Sequence, residues 1–156
     1  MLSGTALALS ELPLELIARH ALERCICDRG GEREVQFLFA DAARVLPVRR
    51  EGRLEILRWG NRRGESPQLP YTAWTQTNTI ESGGWGERGI EPVVIPTTMG
   101  LDKGVWYRIR QGIRGLVVLD ERGQPRVYVI CEPASHYYQV MTRGSRWMPA
   151  LIDERI

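Results

Sequence analysis

Seven arginines fall at positions 44, 49, 50, 53, 58, 62 and 63, against only two acids in that stretch, Glu51 and Glu55. A guanidinium grips phosphate oxygens through two parallel hydrogen bonds and stacks on flat rings, so this density points to an anionic partner. Arg49, Arg50, Arg53, Arg58, Arg62 and Arg63 form a candidate phosphate track, with Trp59 placed to stack a base. Trp106, Arg108 and Arg110 repeat the mixture of ring and cation at every second position, which on a strand puts all three on one side. The competing assignments are plainer: a solvated strand face with ion pairs to Glu51 and Glu55, a core position for Trp59, a barrel wall for Trp106. Twenty of the 21 basic residues are arginine, Lys103 being the exception, and a GC-rich genome also produces that bias.

Elements must position these side chains. Apolar residues alternate with arginines on either side of Glu51 and Gly52, and a glycine there can take the positive φ of a tight turn, so residues 45–60 are expected to form a β-hairpin. Before it come a strand over 5–9 and a helix from an N-cap at Ser10 to about residue 24, its buried face made by Leu14, Ile17 and Ala21. A strand with Val35, Phe37 and Phe39 follows a loop at 28–33. Residues 61–89 read as one long irregular segment carrying Tyr71, Trp74 and Trp85. Strands at 93–95, 105–110, 116–119 and 126–131 and a short helix at 134–141 complete the pattern. With no βαβ alternation, the fold expected is α+β: a mostly antiparallel, mixed sheet curled into a pseudo-barrel, with one main N-terminal helix. The 156 residues fit a single domain over 1–156.

A net charge of +2 does not by itself name a nucleic-acid partner. Three cysteines make no disulfide framework, since Cys25 and Cys27 are too close for an ordinary bridge and Cys131 lies on a predicted strand, so a reducing cytoplasm is expected. With only His20 and His136, a Cys–His zinc site is not expected, nor is any cofactor. The opening residues lack a basic flank and are interrupted by Ser3, Gly4 and Thr5, so neither a secretory leader nor a membrane span is expected.

Several pieces, in order, resemble the SOS response-associated peptidase (SRAP) family. Pro47-Val48-Arg49-Arg50-Glu51-Gly52-Arg53 leading to Arg58-Trp59-Gly60 resembles the family's hairpin ending in Arg-Trp-Gly. Asn78 and Glu81 resemble its Asn-Ala-Arg-x-Glu segment with one residue fewer between them, and Ile95-Pro96 with Asp102 resembles Ile-Pro-Ala-Asp-Gly-Phe-Tyr-Glu with aspartate for glutamate. Residues 127–134 resemble the strand ending in Thr-x-x-Ala, and Trp147-Met148-Pro149-Ala150-Leu151-Ile152 resembles the Arg-Met-Pro-Val-Ile-Leu run. The matches cover nearly the whole chain, each of them short.

The resemblance implies an α+β pseudo-barrel that binds single-stranded DNA and cross-links to abasic sites through a cysteine at position two. An N-terminal amine and a neighbouring thiol together trap an aldehyde as a five-membered ring, assisted by an asparagine, an acid and a histidine. Carried onto this chain, Asn78 is the pocket asparagine and Asp102 the acid, while Leu2 stands where the family has cysteine and Ser145 where it has histidine. His136 lies near that histidine but out of register. Without the thiol the ring cannot form, and Leu2 disfavours removal of Met1. The expected function is therefore non-covalent binding of single-stranded or abasic-site DNA. One alternative is residual cross-linking, peptidase or lyase activity from Asn78 and Asp102. Another is a protein-interaction module that uses Trp74 and Trp85 as exposed anchors.

Overall fold

The structure is a computed structural model that describes residues 1–152. Five strands make the first sheet: β1 (Leu2–Ala8), β2 (Ile26–Arg29), β3 (Glu32–Leu38), and, later in the chain, a pair over Met99–Asp102 and Val105–Arg108. Between them lie β4 (Val45–Arg50), β5 (Arg53–Trp59), β6 (Trp74–Gln76) and β7 (Ile90–Ile95), which makes the late pair β8 and β9. Then follow β10 (Ile113–Leu119), β11 (Pro125–Pro133) and β12 (Trp147–Pro149). The first sheet is antiparallel throughout, in the order β2-β3-β1-β8-β9.

The second sheet closes on itself. Its order β10-β7-β4-β5-β11 returns to β10 through a direct β10–β11 pairing, giving a five-stranded ring. Closure removes the exposed edges that an open sheet presents. One edge of β11 receives β10 and then β12, and the other receives β5 and then β6, both of these last in parallel. The expected curled, mostly antiparallel sheet with a mixed component is thus present, divided between two sheets. Their buried side chains meet in one core that includes Leu2, Leu7, Phe37, Leu46, Trp59, Ile95, Ile113 and Val129. A smaller cluster of Leu69, Trp85, Leu116, Val118 and Tyr128 seals the outer side of β10 and β11 beneath the segment after β5.

The organising hairpin forms as the turn chemistry dictates. Arg50 pairs with Arg53, and Glu51 and Gly52 between them both adopt positive φ, 49° and 76°. That is the two-residue turn whose twist matches antiparallel strands.

The single main helix does not form. Helix α1 covers only Leu14–Arg19, six residues, preceded by a 3-10 turn at Leu9–Glu11 and followed by another at Glu23–Cys25. Pro13 occupies the N-cap and has no N–H, so the helix starts after it. At the other end Ala21 sits at φ 52°, and the Leu22 N–H donates to the Ile17 carbonyl at 2.9 Å, a Schellman ending with alanine where glycine is usual. The buried face is Leu16 and Ile17, while Leu14 is 80% exposed, contrary to the face expected from Leu14, Ile17 and Ala21. The two remaining helices are equally short: α2 (Thr77–Glu81), inside the segment expected to be irregular, and α3 (His136–Met141). Ser135 caps α3 by accepting from the Tyr138 N–H at 3.1 Å.

Candidate functional site

The β8–β9 hairpin places Asp102 at the mouth of a two-residue turn in which Lys103 and Gly104 both have positive φ. Leu2, the first residue of β1, pairs with Asp102 from the other side, and a register shift follows between Leu2 and Gly4. The Asp102 side chain is completely buried. Its Oδ1 accepts from the Met1 ammonium at 3.1 Å and from the Ser145 hydroxyl at 2.8 Å. Its Oδ2 accepts from the Tyr138 hydroxyl at 2.9 Å, and Tyr138 in turn receives the Tyr107 hydroxyl proton at 2.9 Å.

A buried carboxylate is tolerated only when charge and hydrogen bonds replace lost water, and here one cation and two hydroxyls do so. Backbone detail makes the relay possible. Tyr107 pairs with Gly100 across the hairpin, and a Cβ on Gly100 would stand 2.7 Å from the tyrosine ring. Only glycine leaves the ring room to lie over β8 and reach Tyr138. Trp74 on β6 donates its indole N–H to the Leu2 carbonyl at 2.8 Å and so fixes the start of β1. Burial, the Tyr107 hydroxyl and the Asp102 carboxylate raise the Tyr138 phenol well above the ordinary tyrosine range, which keeps it a donor. Burial likewise pushes the Cys131 thiol up to about 12, against the opposing pull of the N-terminal ammonium. Cys131 is therefore a neutral thiol at physiological pH and a poor nucleophile.

Chemically, the cluster holds an amine beside an acid whose proton inventory extends through two phenols. Leu2, Asp102 and Ser145, far apart in sequence, are brought together here. Asn78 is not part of the cluster: it is exposed on α2, two residues beyond Gln76 of β6, with no side-chain hydrogen bond among the described residues. His136 is exposed at the start of α3. Tyr107 and Tyr138 escaped the sequence reading. The available signal was that Tyr107 alternates with the candidate face of Trp106 and Arg108 and so had to point inward.

The candidate DNA-binding residues divide between the two sheets. Arg49, Arg53 and Arg63 are exposed and form no hydrogen bond or ion pair among the described residues. Arg50 is engaged, its Nε donating to Glu91 at 2.7 Å and its Nη1 to Glu55 at 3.3 Å. Arg58 lies 4.0 Å from Glu65, and Arg62 donates to the Phe39 carbonyl while lying over the Phe39 ring. Arg108 and Arg110 are exposed on β9 and just beyond it. Trp106 is half-buried, with the Arg29 guanidinium 4.7 Å above its ring.

Three tryptophans require correction. Trp59 is fully buried, donates to the Ala73 carbonyl at 3.1 Å and packs edge-on against Phe39, so its ring cannot stack a base. Trp85 is 4% exposed and donates to the Thr75 hydroxyl, and Trp74 is wedged between Phe39 and Trp59. Neither is an exposed anchor.

Among the described residues no group of three or more His, Cys, Asp or Glu side chains could hold a metal ion, and no helix is long and apolar enough to cross a membrane. Comparison of the chain with protein-family models, curated proteins and solved structures finds no match.

Proposed function

We propose that the chain is an SRAP-like protein that binds single-stranded or abasic-site DNA without a covalent cysteine cross-link, in the cytoplasm and at the nucleoid. The observation that carries this reading is the meeting of Leu2, Asp102 and Ser145 with the chain's own amine, since those are the positions the resemblance assigns to the nucleophile, the acid and the histidine. Exposed arginines without counter-ions among the described residues, Arg49, Arg53, Arg63 and Arg108, support contact with phosphate. Leucine at position two offers no thiol, so an aldehyde bound here finds no partner for a stable ring.

Anisotropy with a labelled oligonucleotide tests it. Binding should weaken with salt at a log–log slope of roughly −0.7 per phosphate neutralised on a single strand. A salt-independent signal, or no binding at low salt, removes the reading.

The Met1 amine, 3.1 Å from Asp102, favours one second reading, a residual reaction with abasic sites. The amine nitrogen would bond to the aldehyde carbon, water would leave, and an imine would remain. Borohydride would reduce that imine to a permanent adduct, visible on a denaturing gel. Absence of the adduct after borohydride excludes this second activity.

A further inference from the structure

The opposite face of the five-stranded sheet carries an arrangement separate from Asp102. Gly4, Ala6 and Ala8 of β1 point to this side, so a trough runs between the longer side chains of β3 and β8. Leu38 and Leu101 fill its Gly4 end, where a Cβ would stand 2.7 Å and 3.4 Å from their methyl groups. Arg29 of β2 spans the trough to Trp106 of β9, on the far edge of the same sheet. In a flat sheet of this strand order those edges would stand about 19 Å apart, so the sheet is strongly curled toward this face.

Arg29 is clamped twice. Its Nε and Nη2 donate to Glu34 at 2.7 and 2.9 Å, and its central carbon lies 4.7 Å over the Trp106 ring. The remaining edge of the fork has no hydrogen-bond partner among the described residues, and Arg29 lines a cavity of about 370 Å³ at the open, Ala8 end of the trough. Arg33 and Arg108 line the same cavity, exposed and without hydrogen bond or ion pair among the described residues. Glu34 is occupied by Arg29 and Gln36, leaving Glu32 as the other acid on the wall. The cavity thus has a surplus of positive charge and one guanidinium already held in place, which lowers the ordering cost of binding an anion.

We propose that this cavity is a phosphate-binding site in which the free edge of Arg29 receives the anion and Arg33 and Arg108 close on it. Its volume leaves room for a sugar or base beyond the phosphate. The shared chemistry is a phosphate group, supplied either by a small phosphomonoester or by the backbone of a nucleic-acid strand. The site does not depend on the DNA reading above.

The test titrates the protein with inorganic phosphate and, separately, with a short oligothymidylate, following the NMR signals of the Arg29 Nε–H and the Trp106 indole N–H. Three proteins are compared: the unaltered chain, Arg33→Ala/Arg108→Ala, and Arg49→Ala/Arg53→Ala as a control on the other sheet. Both signals should shift, and the Arg33/Arg108 variant should bind about tenfold or more weakly, as expected for losing charge-assisted contacts. Phosphate binding lost in that variant identifies a monoester site, and loss for the oligonucleotide alone identifies a backbone contact. Signals unmoved by either ligand, or unchanged affinity in the Arg33/Arg108 variant, overturn the proposal. Oligonucleotide binding lost only in the Arg49/Arg53 variant, with phosphate affinity unchanged in the Arg33/Arg108 variant, overturns it too, while leaving the DNA reading intact.

Discussion

Two carboxylates, Glu65, partly exposed, and Asp102, fully buried, each take several hydrogen bonds, and they are compensated in opposite ways. Glu65 receives Arg44 through two bonds, 2.9 and 2.5 Å, and Arg126 through a third at 2.9 Å. Arg126 also donates to the Gly60 carbonyl, to Asn61 and, through Nε, to Asp120. The Glu65 carboxyl is held at about 2 by Arg44 first and Arg126 next, against the cost of burial. Asp102, by contrast, has a single cation, the chain terminus, and otherwise two hydroxyls. The first arrangement is a structural staple that pins the segment after β5 to β11. The second surrounds a buried carboxylate with one ammonium and two neutral hydroxyls, groups that can give up or pass on a proton, which is what acid–base chemistry needs.

This contrast predicts a ranking. Arg126→Ala leaves Glu65, Asp120 and the Gly60 carbonyl short of a donor in a buried setting, and should cost about 3–5 kcal/mol in urea unfolding. A loss below about 1 kcal/mol would erase the distinction between staple and site. Next comes acid. The folded Glu65 value lies below the ordinary 4.5, so its stabilisation is complete above about pH 4.5 and disappears as pH falls through about 2. It amounts to about 3 kcal/mol, and Glu65→Gln should flatten that part of the stability–pH curve. Tyr138→Phe removes one donor from Asp102 and the acceptor for Tyr107, at a cost of about 1–3 kcal/mol by thermal or urea unfolding. A cost as large as that of Arg126→Ala would mark Asp102 as a second staple. Smallest, and outside both networks, Ala21→Gly should stabilise by roughly 1 kcal/mol, because the alanine now pays for a left-handed backbone.

Local features were legible in the chain. Glu51 and Gly52 announced a hairpin, and alternation located most strands to within a few residues. Long-range features were not legible. Asp102 bonds Ser145 and pairs with Leu2, contacts between positions about forty and about a hundred residues apart that no local pattern marks. Nothing local marks the parallel β5–β11 contact or the β10–β11 closure, since both depend on pairing partners distant in sequence. The helix was misjudged because Pro13 and Ala21, one on each side of an apolar run, cut it to six residues. Tyr138 was missed because a tyrosine on a short helix next to an exposed Tyr137 carries no mark of facing inward.

Native and denaturing mass spectra of the protein, recorded after incubation with an abasic single-stranded oligonucleotide, address the central claim most directly. The account predicts a one-to-one complex under native conditions that separates fully into unmodified protein and DNA on denaturation. A covalent adduct surviving denaturation, or no complex in the native spectrum, would contradict it.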